Sequence, residues 1–363
     1  MTHDPGLASW LQLTLTPGLG ATAIRELLGR FGLPEQVLAA PRAQLARHAG
    51  PEALEALDSD AVARAVERAL AWLGEPGHAL VTLADAHYPK LLLEIADPPT
   101  LLYCRGRLEL LDRPALAVVG SRNATAQGAR DAQRLARALS EAGLTIVSGL
   151  AQGVDAAAHR GGLEGGGSTI AVLGSGIDVV YPPANAALAA EIAARGLLVA
   201  EFPLGTPPQA ANFPRRNRLI SGLAQGCLVV EAALASGSLI TARAAAEQGR
   251  EVFALPGSIH SPLAKGCHAL IKSGAKLVES VEDVLAELAA FRRTGFASTA
   301  APAAPHRGSV EPLLEHMGPD PVDVSSLCAR AGLPAERVSA ELLRLELAGR
   351  VAALPGGLYQ RLD

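Results

Sequence analysis

The sequence predicts an α/β protein built on a mostly parallel sheet. Three observations predict it. Short unbroken apolar runs recur through the middle of the chain, Ala-rich helical stretches separate most of them, and turns rich in Gly and Ser follow several of the runs. A strand buried on both faces reads as a continuous apolar run, and strands that alternate with helices pair in parallel beneath them. Crossovers in such a sheet are right-handed, and ligands sit beyond the carboxyl ends of its strands.

The 363 residues suffice for two or three domains. Apolar residues make up 49% but aromatics only 3%, so Ala, Leu and Val must build the core. The formal charge of −4 excludes a protein that holds polyanions by overall charge, and any anion site must come from local concentration. Residues 1–75 carry 6 basic and 9 acidic groups, residues 309–363 carry 5 and 8, and residues 76–290 carry 18 and 19. Within the near-neutral middle, three windows lack any acid: Arg113–Arg130, Phe202–Val230 and Val252–Val278. Each holds three Lys or Arg and begins at or beside an expected strand, which points to a shared electropositive edge. Cys104, Cys227, Cys267 and Cys328 are scattered without a C-x-x-C pair, which fits a reducing, cytoplasmic setting and argues against a zinc site. No signal-peptide pattern opens the chain, and no run approaches the roughly 18 apolar residues of a membrane span.

Taken in order, Leu7–Thr16, the turn Pro17-Gly18-Leu19-Gly20 and Ala21–Gly29 read as helix, Gly-rich hairpin, helix, opening a helical domain over residues 1–75. From residue 76 to 290 the expected strands are Ala115–Val119, Leu144–Val147, Thr169–Leu173, Leu197–Ala200, Leu228–Val230, Val252–Leu255 and Lys276–Val278. Ala129–Ala142, Ala184–Ala194 and Ser238–Gln248 read as crossover helices. Residues 291–308 form a Pro- and Ala-rich linker without apolar period. Residues 309–363 then give three helical stretches, Val310–Met317, Val324–Ala331 and Pro334–Ala348, and two short apolar runs around Pro355-Gly356-Gly357, the pattern of a winged helix.

Chemistry concentrates in Asn212-Phe213-Pro214-Arg215-Arg216-Asn217-Arg218. Arg forks onto phosphates, Asn donates and accepts, and Phe offers a face for a base, a mixture suited to single-stranded nucleic acid. Gly120-Ser121-Arg122 follows an expected strand and precedes a helix, where amides, hydroxyl and guanidinium together suit an anion. Ser236-Gly237-Ser238 forms a second candidate cradle, and Pro256-Gly257-Ser258 with Lys265-Gly266 a further strand end. The chain lacks the G-x-G-x-x-G and G-x-x-x-x-G-K-[ST] loops, a G-x-S-x-G elbow and H-E-x-x-H, so neither a nucleotide cofactor, a metal nor catalytic residues are expected. Asp155 and His159, at i and i+4 on a helix, are read as a structural hydrogen bond, and Glu231 is the one carboxylate placed to act as a base.

Together these segments resemble the DprA/Smf family, the DNA-processing proteins of natural transformation. The resemblance runs through Val119–Arg122, Ser148–Asp155 with His159, Thr169–Asp178 with Tyr181-Pro182, Glu201–Pro203, Phe213–Gly222, Ser236–Ala242 and Leu255–Ser258. It implies an extended Rossmann domain, preceded by a helical domain similar to sterile-alpha-motif folds and followed by a winged helix. It implies a non-enzymatic homodimer that binds single-stranded DNA and loads RecA recombinase onto incoming strands. Carried over residue by residue, the DNA site comprises Gly120, Ser121, Arg122, Phe213, Arg216, Asn217 and Arg218, with Arg215, Ser238 and Lys265 beside it. Many members carry Lys three residues before the Phe, where this chain has Ala210. The alternative is a nucleotide-processing enzyme on a related scaffold, of the phosphoribohydrolase kind, whose P-G-G-x-G-T motif is absent at the expected strand ends.

Overall fold

The computed structural model describes residues 5–288 and, beyond them, 313–317, 322–334, 337–339, 341–342, 345, 350–354 and 358–361. Residues 5–288 belong to one compact unit and the later segments to a second.

The first unit holds a nine-stranded sheet. Its strands are β1 His78–Thr82, β2 Leu101–Gly106, β3 Ala115–Val119, β4 Thr145–Ser148, β5 Thr169–Gly176, β6 Leu197–Phe202, β7 Gly226–Val229, β8 Glu251–Ala254 and β9 Lys276–Leu277. They lie in the order β1-β2-β6-β5-β4-β3-β7-β8-β9. The seven expected strands are present within a few residues of their expected ends, and all pair in parallel. β1 and β2 extend the sheet antiparallel, β2 against β6 and β1 against β2. They were not expected. No long crossover helix separates them, only the four-residue helix Lys90–Leu93 and irregular chain, so the strand–helix alternation that marks the others is missing.

The sheet is covered on both faces, as unbroken apolar strands require. Along β3, Ala115, Ala117 and Val119 face one core with Val147, Val172, Val199 and Val229. Leu116 and Val118 face the other, under helices Ala126–Glu141 and Val154–Glu164. The chain builds β4, β5 and β6 outward on one side of β3, then crosses to β7, β8 and β9 on the other. The connections therefore diverge between the carboxyl ends of β3 and β7, the point at which such sheets open a crevice.

The N-terminal segment folds as six helices, beginning with Pro5–Leu15 and Ala21–Phe31 on either side of the expected hairpin and ending with Asp60–Leu73. It has its own apolar centre around Leu13, Ile24, Leu27 and Val37. Expected as a domain apart, it instead shares a core with the sheet: Trp10, Leu11 and Ala69 pack among Leu80, Leu101, Tyr103 and Leu198.

In the second unit, β10 Val322–Asp323, β11 Val351–Leu354 and β12 Leu358–Arg361 form a three-stranded sheet in the order β10-β12-β11. Helix Val324–Ala331 matches the expected middle helix. Asp323 caps it, its carboxylate accepting from Ser326 N at 2.9 Å and Ser326 Oγ at 2.7 Å. The expected linker 291–308 and the wing residues 355–357 lie outside the described residues, as does part of each flanking helix.

Candidate functional site

A cleft of about 620 Å³ opens at the divergence of β3 and β7. One wall is the turn Gly120–Asn123, directly after β3; a second is Ser236–Ser238 with Ile240 and Thr241, after β7. The third is helix Asn212–Gly222, and Ala151 and Asp155 from the β4 end close the base.

The turn after β3 is set by close backbone approach. A Cβ on Gly120 would lie 2.7 Å from Val154 Cγ2 and 2.9 Å from Glu231 O. Gly153 has φ +73°, and a Cβ there would lie 2.3 Å from Ser121 O. Only glycine fits both demands at Gly153. Val154 N then donates to Ser121 O at 3.1 Å, and Asn123 N donates to Ser121 Oγ at 3.1 Å, so the turn is fixed while the Arg122 side chain stays exposed.

Phe213 is half-buried on the opposite wall. The guanidinium carbon of Arg122 lies 5.4 Å from the centre of its ring, within cation–π range. The ring rests on β5 at Gly174, where a Cβ would meet Phe213 Cδ1 at 2.8 Å. Helices Val154–Glu164, Asn212–Gly222 and Ser238–Glu247 all begin at the cleft. Their positive dipole ends favour an anion there. Ser238 sits in the last of these starts, its Oγ 2.7 Å from Ser236 Oγ.

Arg216 is buried at the cleft floor. Nη1 donates to Gly149 O at 2.6 Å and also to Val172 O, and Gly149 is the residue whose missing side chain admits the guanidinium. Burial lowers its pKa to about 10, against the stabilising charge of Asp155, so it stays a cation at neutral pH. Burial pushes the Asp155 carboxyl up, while Arg216 and the amides of Gly149 and Ala151, at 3.1 and 3.3 Å, hold it down.

The structure therefore brings Gly120, Ser121, Arg122, Phe213, Arg216, Asn217 and Ser238 into one cleft, with Ala210 at its edge. It does not bring in Arg215, Arg218 or Lys265. Arg215 lies over the Phe202 ring at 5.4 Å. Arg218 forms ion pairs with Glu201 and Asp97. Lys265 Nζ folds back onto Ile259 O at 2.5 Å. The expected cationic rim is thus reduced to Arg122 and the buried Arg216. A signal for this was present: on a helix, residues i, i+3, i+4 and i+7 share a face, and Phe213, Arg216, Asn217 and Ile220 have that spacing and line the cleft. Read as a basic run rather than a helix, the segment offers all its arginines at once. Asn123, next to Gly-Ser-Arg, is a lining residue that was not anticipated.

The candidate acid–base groups Asp155, His159 and Glu231 each make hydrogen bonds that hold local structure. Asp155 and His159 do not bond each other; instead both hold the loop after β4. His159 Nε2 accepts from Leu150 N at 3.2 Å, which leaves Nδ1 to donate to Thr169 Oγ1 at 2.7 Å. Burial, with Arg216 and Arg160 nearby, lowers its pKa to about 3. Glu231 accepts from Thr125 N at 2.9 Å and Thr125 Oγ1 at 2.6 Å, stabilising the start of helix Ala126–Glu141.

Comparison with known proteins identifies the family. Residues 79–289 match the family model described as DNA recombination-mediator protein A, and residues 297–357 match the DprA winged helix domain. Protein Smf of Escherichia coli is 46% identical over 311 residues, 82% of this chain and 81% of its own. DNA processing protein DprA of Streptococcus pneumoniae is 51% identical over 206 residues, 57% of this chain and 73% of its own. The X-ray structure of the Streptococcus pneumoniae protein superposes with a TM-score of 0.69 at 39% identity, covering 79% of this chain and 99% of that one. DNA processing protein A from Helicobacter pylori, whose structure was solved for insight into its single-stranded DNA binding mode, gives 0.53 at 32% identity, covering 58% and 96%. A Rossmann-like sheet opened at its switch point, followed by a winged helix and matched to these models, places the chain in the DprA/Smf family of DNA-processing recombination mediators.

Proposed function

We propose that this chain binds single-stranded DNA in the cleft between β3 and β7, protects incoming strands and loads RecA onto them during natural transformation, acting in the cytoplasm as a homodimer. The observation that carries this reading is the pairing of Arg122 with Phe213 at the mouth of a cleft ringed by helix starts. A phosphate meets Arg122 and the helix amides, while a base stacks on the phenyl ring, a contact worth roughly 1–3 kcal/mol. A duplex keeps its bases stacked on each other and gains less. Recognition by amides and a ring face is tolerant of sequence, as a mediator acting on any strand requires. Binding rather than catalysis fits the structural hydrogen bonds that occupy Asp155, His159 and Glu231. The free, buried Cys104, Cys227 and Cys267 fit a reducing compartment.

Titration of fluorescent oligo-dT across a salt series tests the site. Arg122→Ala is expected to weaken binding and to flatten the log–log salt slope by about 0.7. Parent-like affinity and slope in Arg122→Ala, or tighter binding of duplex than of single strand, would remove the reading. For RecA, the expected result is a shorter lag in its ATP hydrolysis on strands already coated with single-strand-binding protein. An unchanged lag contradicts the loading role.

A further inference from the structure

We propose that Tyr181 is a second base-stacking surface, so that the bound strand leaves the cleft over Phe213 and continues onto the Tyr181 ring. This rests on the reading above that the cleft holds single-stranded DNA. The Tyr181 and Phe213 ring centres are 5.8 Å apart with 39° between their planes. Tyr181 is not itself part of the cleft lining but neighbours Phe213, which is, so its ring would extend the track formed by Arg122 and Phe213.

Exposure sets Tyr181 apart. Aromatics are 3% of this chain, and among the described residues every other one is buried or half-buried, while Tyr181 is 45% exposed. An exposed ring beside a half-buried one at the mouth of a cleft is the arrangement that stacking platforms use. The backbone beneath it is held in place. Val179 N donates to Gly176 O at 2.9 Å, and Ser175 Oγ donates to Val179 O at 2.6 Å. Asp178 accepts from Gly205 N at 2.9 and 3.0 Å, tying the turn to the segment after β6. Little ordering is left to be done when a base arrives, which favours affinity. A duplex covers the faces of its bases by stacking them on one another, so rings that each take a base face select single strands over duplex.

The test uses the full chain, an oligo-dT strand and the same strand with abasic sites. Tyr181→Ala is expected to weaken oligo-dT binding about 5- to 150-fold, from the energy of one stacked base. Its salt slope should match the parent, because no phosphate contact is lost. Affinity for the abasic strand should be unchanged, and Tyr181→Phe should keep parent affinity for oligo-dT. Parent-like oligo-dT binding by Tyr181→Ala overturns the inference, as does an equal loss on the abasic strand, which would mark a purely structural role. Arg122→Ala and Phe213→Ala separate the two readings. If both weaken binding while Tyr181→Ala does not, only the Tyr181 track fails. If neither does, the cleft itself is misplaced and both readings fall.

Discussion

Arg218 Nη2 lies 2.5 Å from Glu201 Oε1 and 3.5 Å from Asp97 Oδ2, while Asp97 Oδ1 also receives Arg25 Nη1 at 2.9 Å. This network joins the N-terminal helices, the loop before β2, the end of β6 and the helix that carries Phe213. It makes Arg218 a tether for that helix. The side chains of Arg218 and Glu201 are only 17% and 12% exposed, so the pair is largely desolvated. Arg218→Ala leaves Glu201 without its cation and is expected to cost about 3 kcal/mol of stability. Urea unfolding measures the loss, and the salt slope of oligo-dT binding should remain that of the parent, in contrast to Arg122→Ala.

Gly153 and Gly237 make a matched pair of tests on the cleft walls. Gly153→Ala places a Cβ against Ser121 O at a backbone φ of +73°, and a loss of about 1–3 kcal/mol is expected, with weaker binding as the Gly120–Asn123 turn shifts. Gly237 has open space around its Cβ position and no positive φ, so Gly237→Ala should unfold as the parent does. Thermal melts of the two variants side by side check both expectations. Equal melting would mean that the turn yields more readily than its contacts indicate.

His159 links stability to pH. Its folded pKa of about 3 lies below the ordinary 6.5, chiefly because burial disfavours the charged ring. Between those values the unfolded chain binds a proton that the folded chain does not, so stability falls as pH is lowered from about 6.5 toward 3. The contribution from one such group approaches about 1.4 kcal/mol per pH unit. Urea midpoints between pH 7 and pH 5 should therefore slope more steeply in the parent than in His159→Gln.

The N-terminal helices are predicted to be indispensable to the α/β body. A fragment of residues 1–288 retains the sheet, the cores packed on it and the cleft, and should bind oligo-dT as the full chain does. A fragment of residues 76–288 uncovers Leu80, Leu101 and Tyr103, which Trp10 and Leu11 otherwise shield. Each fully buried side chain of this kind is worth about 1.5–3 kcal/mol. Loss of cooperative unfolding in the shorter fragment, by circular dichroism, is the expected outcome; equal stability would show that the shared core contributes little.

Much of this protein was legible from local pattern. Six of the seven parallel strands announced themselves as largely apolar runs, because burial on both faces leaves little room for polar residues, while the short β9 is exposed at both its residues. The Gly-Ser-Arg turn after β3 could be assigned to the cleft, because ligand crevices lie at strand carboxyl ends whatever the chemistry. β1 and β2 were missed, since an antiparallel addition at the sheet edge carries no crossover helix to flag it.

What the tertiary structure alone decided is which cations line the cleft. Arg215, Arg216 and Arg218 lie within four residues, yet one lies over Phe202, one is buried on Gly149 O and Val172 O, and one pairs with Glu201. Composition records that three positive charges are present. Their fates depend on partners 13 to 67 residues away and brought close only when the sheet closes. A neighbouring carboxylate or carbonyl competes with phosphate for the same guanidinium, and that competition exists only in three dimensions.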